Sequence, residues 1–178
     1  MRKLSVEELN RLSVEAFHQI EKFEYALILD NVRSLNNVGS VFRTADAFKA
    51  SKIYLCGITG TPPHRDIAKT ALGADESVAW EHHSDVLVLC QQLQEEGFQI
   101  LAVEQVEGSL SLANFTPDST QKYAFVLGNE VFGVNEQVVQ LADHCLEIPQ
   151  FGTKHSLNIS VTAGIVCWHY VLHAQLNR

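Results

Sequence analysis

Short and almost uninterrupted apolar runs recur along this chain, at Tyr25–Asp30 (YALILD), Lys52–Cys56 (KIYLC), Ser77–Trp80, Phe98–Val103 (FQILAV), Tyr123–Leu127 (YAFVL) and His144–Ile148. They are bounded by Gly, Asn or Pro, and continuous hydrophobicity of this kind marks strands buried on both faces. Helical spacing fills the intervals, at Val38–Phe48, at 65–72, at Ser84–Glu96 before Gly97, at Asn135–Ala142 and at Leu157–Leu176. Strand and helix alternating in this way predict an α/β fold, a mostly parallel sheet with helices on both faces. Upstream, Ser5 and Glu8 form a capping box, and Val6, Leu9, Leu12, Ala16 and Ile20 fall near helical spacing. They predict a helical extension over residues 1–22 whose apolar face packs on the body of the chain or on a partner. No repeat, low-complexity tract or linker breaks the pattern, so residues 1–178 read as one domain, long enough to bury a core without staples.

Three strand-to-helix connections are unusually polar: the segments Leu29–Phe48, Phe125–Glu136 and Ile148–Gly164. The pattern places each at the C-terminal end of a strand, where open α/β sheets bind ligands. In the last of them, Gly152, Ser156 and Asn158 permit tight turns and a close approach of backbone groups to a ligand. The bland alternative is that Ser156 or Asn158 caps the last helix. The middle connection carries Leu127-Gly128-Asn129-Glu130 and Gly133, with an acid just past a buried strand; Glu130 is a site residue or a solvated turn residue. No GK[ST] follows, so it is not a nucleotide-binding P-loop. The first connection holds Asn37 and Arg43, six apart across a helix start, and Arg43 either faces a site or pairs with Asp46 at i+3. The turn-rich stretch 57–65, GITGTPPHR, is the candidate lid or clamp on the substrate side.

Composition changes this picture little: 46% hydrophobic and 19% charged residues are ordinary for a soluble globular protein. No apolar stretch approaches the roughly 18 residues of a membrane span. The N-terminus carries acids and no cleavable apolar core, so a cytoplasmic location is expected. Cys56, Cys90, Cys145 and Cys167 are scattered singly, which points to buried, reduced thiols and away from disulfides or zinc. His82–His83 reads as a solvated strand end, and His169 with His173 lacks the Glu of an HExxH motif, so no metal is expected. The neighbours His155 and Ser156 have no evident Asp partner for a hydrolase triad.

Charge matters more. The net value of −8 weighs against a nucleic-acid partner, because such proteins are usually basic. The distribution is uneven, however: residues 71–178 hold three Lys/Arg against thirteen Asp/Glu, whereas 31–70 hold six basic residues against two acidic. That positive zone, around Arg33, Arg43, Lys49, Lys52, Arg65 and Lys69, is too small for tight duplex binding and is better suited to an exposed single-stranded loop.

The order N-x-x-x-x-x-R-T, then LGNE-x-x-G, then IP-x-x-G-x-x-x-SLN-x-S resembles the three motifs of the SpoU (TrmH-like) RNA ribose 2'-O-methyltransferases of the SPOUT superfamily. The resemblance runs from about Tyr25 to Trp168. It implies a C-terminal deep trefoil knot, S-adenosyl-L-methionine as cofactor, and RNA as partner, tRNA ahead of rRNA. It also implies a homodimer formed through the knotted region and its last helix, with active sites near the interface. By match to the motifs, Val103, Gly128, Ile148, Ser156 and Leu157 would hold the cofactor. Arg43, Asn37, Glu130, Ser156 and Asn158 would serve catalysis. In the positive zone, Arg33, Arg43, His64, Arg65 and Lys69 are the candidates to meet the RNA, and the alternative for His64, Arg65 and Lys69 is a solvated helix face. A guanidinium stays protonated in proteins, so Arg43 is expected to orient the hydroxyl and a phosphate through its fork of donors instead of acting as the base. The acidic surface keeps open a second expectation, a non-catalytic RNA- or partner-binding protein on the same knotted fold.

Overall fold

The computed structural model describes residues 1–5 and 7–176. Seven parallel strands form one sheet: β1 (Phe23–Asp30), β2 (Ala50–Cys56), β3 (Trp80–His83), β4 (Phe98–Val103), β5 (Leu110–Ser111), β6 (Lys122–Leu127) and β7 (His144–Glu147). Their order across the sheet is β3-β2-β1-β6-β4-β7-β5. The helices are α1 (Val14–Gln19), α2 (Leu35–Ala47), α3 (Arg65–Ala71), α4 (Ala74–Ser77), α5 (Val86–Glu95), α6 (Glu136–Leu141) and α7 (Ile159–Val171).

The apolar runs are explained by burial on both sides. In β1, Tyr25, Leu27 and Leu29 face a core shared with α2, α3 and α7, while Ala26 and Ile28 face a second core with α5 and α6. Small residues meet on that second face, where Ala26 registers with Ala124 on β6. On the first face Tyr170 of α7 lies against Tyr25 with ring centroids 4.3 Å apart. Truncating such fully buried side chains typically costs about 2–5 kcal/mol.

Three elements differ from the sequence expectation. Ser77 is not in a strand. It ends α4, is buried, and donates its Oγ–H to the Asp46 carboxylate at 2.5 Å, so that the third strand begins only at Trp80. That hydrogen bond also occupies Asp46, and no Arg43–Asp46 ion pair forms among the described residues. The N-terminal segment keeps its capping box, with Ser5 N–H donating to Glu8 at 2.7 Å, but the helix breaks into a single turn at Glu7–Leu9 and then α1. Within it Phe17 is the buried anchor, Leu9 and Leu12 are exposed, and Val6 lies outside the described residues. Cys145 is only partly buried, unlike the other three thiols. The two-residue β5 was too short to carry a hydrophobic signal.

Candidate active site at the strand ends

At the C-terminal ends of β4, β6 and β7 the chain encloses a cavity of about 600 Å³. Its apolar wall comes from Val103, Leu127, Leu146, Ile148, Leu157 and Ile159, and its polar wall from Glu104, Gln105, Glu130, His155 and Ser156, among others. All five residues assigned to the cofactor from the sequence, Val103, Gly128, Ile148, Ser156 and Leu157, line it. The size falls within the usual range of roughly 300–1,000 Å³ for small-molecule sites.

The loop after β6 folds on itself. Asn129 and Gly133 exchange backbone hydrogen bonds of 2.9 Å in both directions, and the Asn129 side chain accepts from the N–H groups of Val131 and Phe132. This fold-back requires a glycine at 128, because a Cβ there would lie 2.1 Å from the carbonyl carbon of Gly133 and 2.2 Å from the nitrogen of Val134. Gly128 therefore permits the loop's own closure as well as bordering the cavity. Gly152, by contrast, faces open space, and nothing in the packing demands it. Glu104, just past β4, buttresses the loop by accepting from Val134 N–H at 3.0 Å. The loop between β7 and α7 is tied down by Gln105, whose Nε2 donates to the His155 carbonyl at 2.8 Å.

The three motifs meet at the rim. Glu130 accepts from the backbone N–H groups of Arg33 and Ser34, each at 3.1 Å, and from Asn37 Nδ2 at 3.4 Å. Asn37 Oδ1 in turn accepts from Asn158 Nδ2 at 3.2 Å, while Asn158 Oδ1 caps α7 through Ser160 N–H at 2.9 Å. A carboxylate only accepts when ionised, so Glu130 fixes the orientation of the Asn37 amide, which then fixes that of Asn158. Both readings of Asn158 hold together: it is a helix cap and a site residue.

Desolvation opposes the charged form of Glu130, but the N–H donors of Arg33, its own backbone and Ser34, together with Asn37, outweigh it, and its pKa lies below the ordinary 4.5. The sign follows directly. The ordering this carboxylate provides is fully present above that ordinary value and is lost as pH falls through the lowered one. Glu130→Gln places an NH₂ where one of these donors needs an acceptor, and amide hydrogen-exchange protection at Arg33 and Ser34 is expected to fall about tenfold, with a stable fold.

The structure does not bring every candidate into the cavity. Arg43 is exposed on α2 and does not line it; neither do Arg33, His64, Arg65 and Lys69. These last three lie exposed at and along α3, with His64 capping that helix through Nδ1 to Asp66 N–H at 3.1 Å. The 57–64 stretch is partly pinned, since buried Thr59 donates to the Leu29 carbonyl at 3.0 Å and accepts from Val32 N–H at 2.9 Å. Sequence reasoning missed Glu104 and Gln105, whose only signal was position directly after a buried strand, and gave Asn129 of the LGNE motif no role.

Such a cavity, at parallel strand ends and bordered by polar loops, defines a small-ligand site on an α/β sheet. Residues 24–168 match the SpoU rRNA Methylase family. The chain belongs to that family, and so to the S-adenosylmethionine-dependent RNA 2'-O-methyltransferases. It is 28% identical over 159 residues to a tRNA (guanosine(18)-2'-O)-methyltransferase of Thermus thermophilus, covering 89% of this chain and 80% of that protein. It is 33% identical to a 23S rRNA (guanosine-2'-O-)-methyltransferase of Neisseria meningitidis, covering 79% of this chain but 55% of the relative. The fold matches the Aquifex aeolicus TrmH/SpoU tRNA modifying enzyme with a TM-score of 0.80 and 25% identity, over 92% of this chain and 81% of the other. An AdoMet-bound rRNA methyltransferase from Sinorhizobium meliloti matches with a TM-score of 0.79 and 26% identity, over 88% and 60%. The chain thus spans only about three fifths of that second structure.

Proposed function

We propose that this chain methylates the 2'-hydroxyl of an exposed ribose in RNA, with tRNA as substrate ahead of rRNA. The observation that carries the proposal is the hydrogen-bonded series Glu130–Asn37–Asn158, which joins three sequence-distant motifs at the rim of one cavity. The tRNA preference rests on proportion: the tRNA relative is matched over most of its own length, the rRNA relative over little more than half.

The cavity fits the cofactor's chemistry. Val103, Leu127, Ile148 and Leu157 offer apolar surface to an adenine ring, and the backbone of the two later loops offers directional donors and acceptors. When bound, S-adenosylmethionine supplies a methyl group on a positively charged sulfur, which leaves as a neutral thioether. The work left to the protein is placement, because a ribose hydroxyl is a weak nucleophile and rate depends on in-line approach at about 3–3.5 Å. Asn37, Asn158 and Glu130 hold the hydroxyl's side of the site in one arrangement. Ser156 lies on the cavity wall beside them.

A deep trefoil knot in the C-terminal third is part of the proposal. It is supported by the path of the chain, which leaves β7 near one sheet edge, is tied through His155 to Gln105, and returns to pack α7 against α2. So is a homodimer. α7 is apolar nearly all round, burying Ala163, Val166, Cys167 and Tyr170 while leaving Val161 and Trp168 exposed. An apolar helix face of this kind needs a cover. Trp168 rests on Phe48 at the end of α2, so the proposed pairing face lies against the same helix that carries Arg43. Pairing then lets the guanidinium of one copy serve the cavity of the other. The positive surface along α3, with His64, Arg65 and Lys69, is the surface for phosphates.

Calorimetric titration with S-adenosylmethionine, followed by methyl transfer to total tRNA and to rRNA in parallel, tests this reading. Saturable cofactor binding with transfer to tRNA above rRNA is expected. Cofactor binding without transfer to either RNA contradicts the enzymatic reading and favours a binding protein on the same fold.

A further inference from the structure

A second cavity, of about 870 Å³, adjoins the first and shares Asn129, Phe132 and Gly133 with it. Its walls are held by buried polar groups already committed to one another. Asp30, at the end of β1 and 2% exposed, accepts from Asn135 N–H at 2.9 Å and from Asn31 Nδ2 at 2.7 Å. Asn31 Oδ1 accepts from Ile58 N–H at 3.1 Å, and Asn129 Nδ2 donates to the Asn31 carbonyl at 2.7 Å. Asn31 sits at a φ of +55°, a conformation that asparagine tolerates better than most residues.

The groups left over for a ligand are of another kind. Phe132 is 85% exposed and Ile58 69% exposed, and the exposed Arg33 lines the same cavity. Large apolar side chains around a cavity with a few polar groups suit the face of a flat ligand. An aromatic ring, a branched aliphatic group and a guanidinium fork are together the groups that receive an unstacked base. The location limits the occupant further. Arg33 gives its backbone N–H to Glu130, so this cavity begins where the proposed ribose site ends.

We infer that the second cavity takes the extruded base of the target nucleotide while its ribose lies over Glu130, Asn37 and Asn158. The Arg33 fork suits a base edge with two adjacent acceptors, as the O6 and N7 of guanine present. This inference rests on the methyltransferase reading above.

The test uses Arg33→Ala and Ile58→Ser, because both side chains are exposed and line only the second cavity. Each variant is expected to bind S-adenosylmethionine within about twofold of wild type and to lose about tenfold or more in single-turnover transfer at subsaturating RNA, the size of a lost base contact. Wild-type transfer by both Arg33→Ala and Ile58→Ser overturns the base pocket and leaves the methyltransferase reading intact. Loss of cofactor affinity in those variants also overturns it, by placing their effect in the first cavity. A wild-type protein that transfers to no RNA removes both.

Discussion

Arg43→Ala is expected to leave S-adenosylmethionine affinity within about twofold and to cut methyl transfer by about 10²–10³-fold, the loss typical of removing one preorganised donor from a reacting centre. The separation follows from placement. Arg43 is exposed on α2 and no part of it borders the cofactor cavity, so the cavity survives its loss. What goes, on the proposed mechanism, is the planar fork that would orient the hydroxyl and its phosphate. Calorimetry and single-turnover transfer measure the two effects on one preparation. If the dimer carries Arg43 of one copy to the other's cavity, inactive Arg43→Ala protein mixed with inactive Gly128→Ala protein regains activity after subunit exchange. Failure to regain any activity places each guanidinium with its own cavity.

Gly128→Ala is the second large effect, and it acts in the opposite way. A methyl group at this position meets the backbone of Gly133 and Val134 at 2.1–2.4 Å, and backbone cannot swing aside as the end of a side chain would. The Asn129–Gly133 bridge must open, and the wall shared by both cavities moves with it. We expect a destabilisation of about 1–3 kcal/mol, as for overpacking elsewhere. Cofactor affinity falls by at least tenfold. Thermal unfolding with and without S-adenosylmethionine reads both, because a ligand that binds only the native state raises the midpoint in proportion to its affinity.

Much of this was legible in the chain, for identifiable reasons. Strands buried on both faces announce themselves as apolar runs, and β1, β2, β4, β6 and β7 were readable to within a few residues. The wall of the first cavity was readable because glycines and polar residues directly after such strands have little structural reason to be there otherwise. Ser77 misled because Val78 and Ala79 extend its neighbourhood into an apolar run, while its real role is a hydroxyl bond to Asp46 across 31 positions of sequence. Long-range partners of that kind leave no periodic trace.

The same limit applies to Arg43. Sequence set it beside Asn37, but six residues of α-helix turn the two side chains about 120° apart, onto different faces. Asn37 therefore joins Glu130 and Asn158 while Arg43 lies exposed on another face of α2. Phe132 and Asp30 were hidden for another reason. A single exposed aromatic or a single buried acid carries no pattern, and their meaning comes from the two cavities they separate and support.

The most direct test of the whole account is the chemical position of the transferred methyl. RNA incubated with the protein and isotopically labelled S-adenosylmethionine, then digested to nucleosides and resolved by mass spectrometry, is predicted to carry label only in a 2'-O-methylated ribose. Label on a base carbon or nitrogen would contradict it.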